Sequence, residues 1–308
     1  MIGAARLAGA RAGDAFGEGS RTSSILSKRI PVHGGDPVSH TAVLVVSCDK
    51  YASAWPAFFH GLRKYWRDCP FPVYLLANRL TTDTPGVTTL TIGRDRGWSS
   101  NLLWALDKIG KPVILMLQED HWILAPVPTP IIVEYARLVA NDQADYIRLN
   151  PSPPPDFDSS LHPRLGTLAT AAPYRVGCQV PMWNRTVFEH LLRPGEDAWQ
   201  FELRGTERSR IYGDRFLCVK NFTDGSGQRT FSGVHTLERT AIVKGEWHPS
   251  AFEYARREGI TVDWKALDRA LRWDRFARTP IGRQLCRVLR VVRHPGYLIE
   301  YVRRRTGG

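Results

Sequence analysis

Pro112-Val113-Ile114-Leu115-Met116-Leu117-Gln118-Glu119-Asp120-His121 is an apolar run that stops at two acids and a histidine. Consecutive aliphatic and thioether residues predict a strand buried on both faces, of the kind found in the middle of a mostly parallel sheet. In such sheets ligands bind beyond the carboxyl ends of the strands. Adjacent carboxylates there repel each other and resist desolvation, and a nearby divalent cation relieves both penalties. The stretch therefore reads as a metal and diphosphate site. In the plainer alternative, Glu119 and Asp120 only open a solvated loop or cap the next helix.

Working outward, the β-branched run 41–48 predicts a first buried strand. Trp55, Phe58, Phe59, Leu62 and Trp66 recur at helical spacing, so 53–66 reads as an amphipathic helix. Further strands are predicted over 73–78, 88–92 and 145–149, with helices over 99–109 and 129–141. This alternation indicates an α/β fold with a doubly wound, mostly parallel sheet. The proline-rich segment 151–155 must be an extended loop, because proline neither donates to a sheet nor continues a helix. A mixed half follows, with strands near 165–171 and 179–182 and helices near 185–192 and 199–207. The chain has no internal repeat and no GxGxxG, GxxxxGK[ST] or GxSxG, which removes most support for dinucleotide, P-loop and serine-hydrolase readings.

At 308 residues, 43% hydrophobic and 23% charged, the chain has the composition of a folded globular protein. Five scattered cysteines without a CxxC pair argue against a disulfide framework or zinc knuckle. No apolar run approaches the roughly 18–20 residues that cross a bilayer, and no signal-peptide core is present, so a cytoplasmic location is expected. Three segments are expected: a disordered tail over 1–39, a catalytic domain over 40–265, and a basic helical tail over 266–308. From Asp268 onward eleven arginines face three acids, a net +8 of the chain's +12. The rest is close to neutral, which excludes a globally basic nucleic-acid binder. Within 280–295, Ile281, Leu285, Val288, Leu289 and Val292 line one helical face and Arg283, Arg287 and Arg290 another. That pattern suits attachment to an anionic membrane surface; alternatively the aliphatic face packs on the domain.

Several segments resemble bacterial GT-A glycosyltransferases of surface-polysaccharide biosynthesis, of the lipopolysaccharide and capsule type. They are Leu44-Val45-Val46-Ser47-Cys48-Asp49-Lys50-Tyr51, Tyr65-Trp66-Arg67-Asp68-Cys69-Pro70, Gly97-Trp98-Ser99-Ser100, Leu117-Gln118-Glu119-Asp120-His121, Trp199-Gln200-Phe201-Glu202-Leu203-Arg204-Gly205-Thr206-Glu207-Arg208 and Lys244-Gly245-Glu246-Trp247. The resemblance spans roughly residues 41–264. It implies a GT-A nucleotide-diphospho-sugar transferase with a DxD-like acidic pair holding Mn2+ or Mg2+ against the donor diphosphate. Glu119-Asp120 stands where the family more often has two aspartates, so Asp120 is the first candidate ligand and Glu119 the second.

The same resemblance sets Ser47, Cys48, Asp49 and Tyr51 against the base and ribose of the donor. Arg94, Arg96, Trp98, Ser99 and Lys244 are candidates for the diphosphate and sugar, and His248 for a late metal ligand. Guanidinium groups pair with phosphate oxygens, though both arginines read equally well as surface charges. An acceptor hydroxyl needs a base as it attacks the anomeric carbon, and an inverting enzyme uses a carboxylate on the acceptor side. Glu202 and Asp197 are the two candidates, Glu202 fitting the resemblance better. Trp98 and Trp183 read as sugar platforms or as core. The expected activity is transfer of a hexose to a glycan or lipid-linked acceptor at the inner face of the cell membrane. A sugar-phosphate nucleotidyltransferase and a non-catalytic, membrane-docked scaffold are the alternatives.

Overall fold

A computed structural model describes residues 36–223, 229–231, 233–237 and 239–281. One helical turn, Pro37–His40, leads into β1 (Thr41–Val46). A 3-10 turn, Asp49–Ala54, runs into α1 (Trp55–Tyr65), followed by β2 (Val73–Ala77), β3 (Val87–Thr91) and α2 (Trp98–Ile109). Next come β4 (Val113–Gln118), α3 (Thr129–Ala140), β5 (Tyr146–Arg148), β6 (Phe157–Asp158), β7 (Leu165–Thr167) and β8 (Pro181–Asn184). Helices α4 (Arg185–Leu191) and α5 (Ala198–Ser209) precede β9 (Phe216–Val219). Two small ribbons follow, β10 (Asn221–Thr223) with β11 (Arg229–Phe231) and β12 (Ile242–Val243) with β13 (Glu246–Trp247). The described chain closes with α6 (Pro249–Glu258) and α7 (Trp264–Arg278).

Nine strands form one sheet in the order β3-β2-β1-β4-β8-β5-β9-β7-β6. The first four run parallel, and β1 pairs with β4 in register from Thr41↔Val113 to Val46↔Gln118. Both strands are buried on two faces, which is why their sequences do not alternate. Val43, Val45 and Leu115 pack with Phe58, Leu62 and Tyr135 of α1 and α3. On the other face Leu44, Ile114 and Met116 pack with Leu102, Leu106, Phe188 and Phe201 of α2, α4 and α5. The α/β class with a mostly parallel sheet is as expected from the sequence.

The mixed half differs in its strand boundaries: the strand predicted over 165–171 ends already at Thr167. A strand predicted over 179–182 begins only at Pro181, and it inserts antiparallel between β4 and β5. Val180 stands at φ 51, a left-handed conformation foreign to a β-branched residue, and this breaks the extended run before it. Trp183 of β8 is fully buried and stacks on Phe188 at 4.8 Å, so it is core and no platform for sugar.

Helix α7 carries the folded body past the expected boundary at residue 265, because Leu267 and Leu271 are buried against it. Of the disordered tail expected over 1–39, residues 1–35 lie outside the described residues, as does the basic segment from 282 onward, whereas Pro37–His40 is a helical turn with Pro37 buried. Among the described residues no helix is long and apolar enough to cross a membrane.

Helix α6 is fastened to α1 by one carboxylate. Glu258 accepts from Lys64 Nζ at 2.6 Å, Tyr65 Oη at 2.8 Å and Arg257 Nε at 3.0 Å, with His60 Nε2 at 3.3 Å. Burial alone would raise its pKa, but these donors outweigh it and bring the carboxyl down from 4.5 to about 2. A carboxyl depressed by folding adds stability above its unfolded pKa and loses it as pH falls toward its folded one. Accordingly, the difference in Tm between the protein and its Glu258→Gln variant should be constant above about pH 5 and shrink between pH 4.5 and 2. Thermal melts across that range check this, and a pH-independent difference would refute the clamp.

Candidate active site

Strand β1 has β2 on one side and β4 on the other, so the direction of winding reverses between β1 and β4. At such a switch point the connections leave in opposite directions and open a crevice beyond the carboxyl ends. A cleft of about 990 Å3 lies there. The end of β1 contributes Ser47, Cys48, Lys50 and Tyr51, and the end of β4 contributes Gln118, Glu119 and Asp120. Trp98 and Asn101 enter from α2, Asp197, Ala198 and Trp199 from the start of α5, and Lys244 and Gly245 from the β12–β13 turn.

Backbone bonds fix the main chain of the acidic pair, while Ser47 offers a side-chain hydrogen bond to the Glu119 carboxyl and Thr240 one to Asp120. Trp122 Nε1 donates to the Glu119 carbonyl at 3.0 Å, and the Asp120 carbonyl accepts from Ala241 N at 2.8 Å. Burial, followed by the neighbouring Asp120 charge, pushes the Glu119 carboxyl well above its usual value. Asp120 is raised by burial too, against which His121 and Thr240 act in the lowering direction. Glu119 is buried and Asp120 half-buried, so Asp120 is the more open to a ligand. Among the described residues no three His, Cys, Asp or Glu side chains gather into a cation site. The pair nonetheless suits a hard cation such as Mg2+ or Mn2+, which takes one or two protein carboxylates and fills its shell with water and phosphate oxygens. Two desolvated, mutually repelling carboxyls also gain most from a positive charge.

Several expected residues have other duties. Asp49 lies outside the cleft lining: its Oδ1 accepts from the amides of Asn78, Arg79 and Leu80 at 3.0–3.1 Å, and its Oδ2 from Arg79 at 3.0 Å. It ties the loop after β2 to the 3-10 turn. Ser99 is fully buried, and its hydroxyl and amide both donate to the Glu196 carbonyl, at 2.8 and 3.3 Å. Arg94 and Arg96 are exposed and do not line the cleft. His248 caps α6, its Nδ1 meeting Ser250 Oγ at 2.7 Å and accepting from Ser250 N at 3.3 Å, and it does not line the cleft, although its amide and the Asp120 carbonyl both bond Ala241. Cys48 is in the lining, but burial and then Glu119 raise its thiol to about 11, which keeps it protonated and non-nucleophilic.

The two candidate bases separate. Glu202 is outside the cleft lining, accepts from Cys178 N at 2.8 Å, and is raised by burial. Asp197 lines the cleft as the N-cap of α5, where Oδ1 accepts from Gln200 N at 2.7 Å and the Gln200 side chain returns to the Asp197 amide. The cap uses Oδ1 only. Behind it, buried Glu196 pairs with Arg208 through two bonds of 3.0 and 2.6 Å, fixing the entry to the helix.

A second, smaller cavity of about 230 Å3 lies beside His121, with Asn150, Gln179, Thr236, Arg239 and Thr240 around it. His121 is buried and neutral, its pKa lowered mainly by desolvation. Lys50 and Trp199 are cleft residues that the sequence reading quoted within motifs without assigning them a role. Their signal was position: Lys50 four residues past the end of β1, and Trp199 two residues past an N-cap.

No protein-family model and no curated protein matches the chain. Among solved structures it is similar to TarS 1–349 of S. aureus in complex with UDP-GlcNAc, at 11% identity over 75% of this chain and 70% of that one, with a TM-score of 0.42. It is also similar to the mannosyltransferase PcManGT of Pyrobaculum calidifontis in complex with GDP-Man and Mn2+, at 15% identity over 65% of this chain and 60% of that one, TM-score 0.38. A cytidylyltransferase of Leptospira borgpetersenii shares 11% identity over 49% of this chain and 63% of that one, TM-score 0.31. The chain thus spans less than two thirds of the last two proteins. At this distance an activity must rest on the cleft's own residues.

Replacing Asp49 with alanine strips three backbone amides of their acceptor, and a charge-assisted bond is worth about 1.5–3 kcal/mol. Asp49→Ala should therefore lower unfolding stability by about 2 kcal/mol in urea titration. A loss below about 0.5 kcal/mol would refute the structural role.

Proposed function

We propose that the protein transfers a sugar from a nucleotide-diphosphate donor to a hydroxyl of a glycan or lipid-linked acceptor. The observation that carries this reading is the convergence of the Glu119-Asp120 pair with Lys50 and Lys244 on one cleft at the β1/β4 switch point. Ser47, Cys48, Tyr51 and Leu76 form the wall nearest the end of β1 and suit the nucleoside. The lysines suit a diphosphate, as cations that pair with its oxygens. Asp120, with Glu119, would hold Mg2+ or Mn2+, which supplies charge to stabilise the departing nucleoside diphosphate.

In the transfer, the acceptor oxygen bonds to the anomeric carbon as the bond from that carbon to the diphosphate oxygen breaks. The acceptor proton needs a base, and Asp197 is our candidate because it faces the cleft while Glu202 is committed to the Cys178 amide. An inverting outcome belongs to this reading, since the base is on a different wall from the acidic pair. The proposal extends to a hexose as the transferred group, to surface polysaccharide as the product class, and to the inner membrane face as the workplace. The last draws support from the net +8 carried by residues 268–308.

Incubation with UDP- and GDP-sugars and Mn2+ tests the chemistry through nucleotide release. Asp120→Asn should abolish metal-dependent release, and Asp197→Asn should slow transfer by roughly 10²–10⁴-fold while nucleotide still binds. Glu202→Gln should stay within about threefold of the parent, since it makes no contact with the reacting atoms. A severe loss in Glu202→Gln with normal turnover in Asp197→Asn would reverse the assignment of the base. For the membrane, truncation before Pro280 should release the protein from anionic liposomes in a sedimentation assay; unchanged sedimentation would remove that part of the proposal.

A further inference from the structure

Trp199 is 63% exposed, although tryptophan carries one of the largest apolar surfaces of any side chain. It is in the cleft lining, two residues after Asp197. The other tryptophan of the lining, Trp98, is already half-buried, its ring 5.3 Å from that of Phe201. Trp199 sits in the first turn of α5, whose start is fixed by the Asp197–Gln200 capping box and by the Glu196–Arg208 pair. Its backbone is therefore held in place before any ligand arrives, which lowers the ordering cost of binding. Leu203, one turn later on the same face and 39% exposed, continues the apolar strip away from Asp197.

We infer that Trp199 is the platform on which the acceptor stacks, and that the acceptor group is a pyranose ring; this rests on the transferase reading above. A pyranose has an apolar face of C–H bonds and a rim of hydroxyls. Laid on the indole, it covers the exposed ring and turns its rim toward Asp197, which is the group that must take a hydroxyl proton. The surroundings disfavour the other acceptor chemistries. An acyl or prenyl chain needs a contiguous apolar patch of several hundred Å2, whereas this strip is one indole and one leucine. A lipid phosphate would meet the negative charge of Asp197. Leu203 offers a smaller contact for a second ring, as in a growing glycan.

Saturation-transfer NMR on the full chain with UDP and Mn2+ tests this, using methyl β-D-glucopyranoside, methyl β-D-galactopyranoside and methyl α-D-mannopyranoside, with acyclic sorbitol as the control. Ring C–H protons of at least one pyranoside should receive saturation and sorbitol should not. Trp199→Ala should weaken that contact by roughly 2- to 12-fold, the range of a single aromatic contact, and Trp199→Phe should retain most of it. Because the side chain is exposed, the variants should keep the parent's circular dichroism. Absence of saturation from every pyranoside, equal saturation of sorbitol, or an unchanged Trp199→Ala variant would overturn the inference. Calorimetry of UDP and GDP binding to the parent protein separates the two layers. Loss of nucleotide binding with sugar contact intact removes the transferase reading alone, and the reverse removes only the platform.

Discussion

The parallel pairing of β1 with β4 is the constraint on which the molecule depends. Six residues of each strand are in register, and neither strand leaves a face for water. Such a strand pair is specified by apolar side chains on both sides, so a one-residue slip would exchange the residues facing α1 and α3 for those facing α2 and α5. Because the register is fixed, Val46 and Gln118 end side by side, and the segments that follow them must diverge. The crevice, and the burial of Glu119 within it, are consequences of that divergence.

A second device aligns the opposite wall with this crevice. The Glu196 carbonyl accepts the buried hydroxyl and amide of Ser99, which ties the first turn of α2 to the entry of α5. The Glu196 carboxylate is locked by Arg208, whose guanidinium also donates to the Leu191 carbonyl from Nε and Nη2. Three helices are thus joined at one residue, and Asp197 and Trp199 inherit their positions from it. Gly97 permits the approach, since it precedes α2 at φ 91 where a side chain would be strained. The third wall is the tight turn at Lys244 and Gly245, at φ 53 and 81, the mirror-image hairpin geometry that joins β12 to β13.

Electrostatics and packing meet at the acidic pair. Burial stabilises the sheet but leaves Glu119 in a setting hostile to its charge, with Asp120 adding repulsion. A purely structural site would have placed an amide or hydroxyl there at less cost. Glu258 shows the contrast: it is nearer the surface, its carboxylate covered by several donors that hold it low. Ser47 and Thr240 offset the burial of the pair only in part, and both carboxyls stay raised beside the cleft, which is what makes this strand end the candidate place for a ligand.

Read alone, the sequence determined the alternation of strands and helices, the doubly buried β1 and β4, and the position of Glu119 and Asp120 at a strand end. These follow from local periodicity and from where an apolar run stops, which are properties of neighbouring residues. Tertiary structure decided which polar groups are free. Asp49 and Ser99 resemble ligand-binding residues in sequence, but backbone groups 29–31 and 97 positions away claim them. Glu202 and Asp197, five residues apart, could not be ranked until the fold turned one toward Cys178 and the other toward the cleft. Val180 likewise shows no local sign that it will break its strand. Hydrogen-bond partners distant in sequence leave no periodic trace, so the chain's pattern reveals where a site lies and only packing reveals which side chains remain available within it.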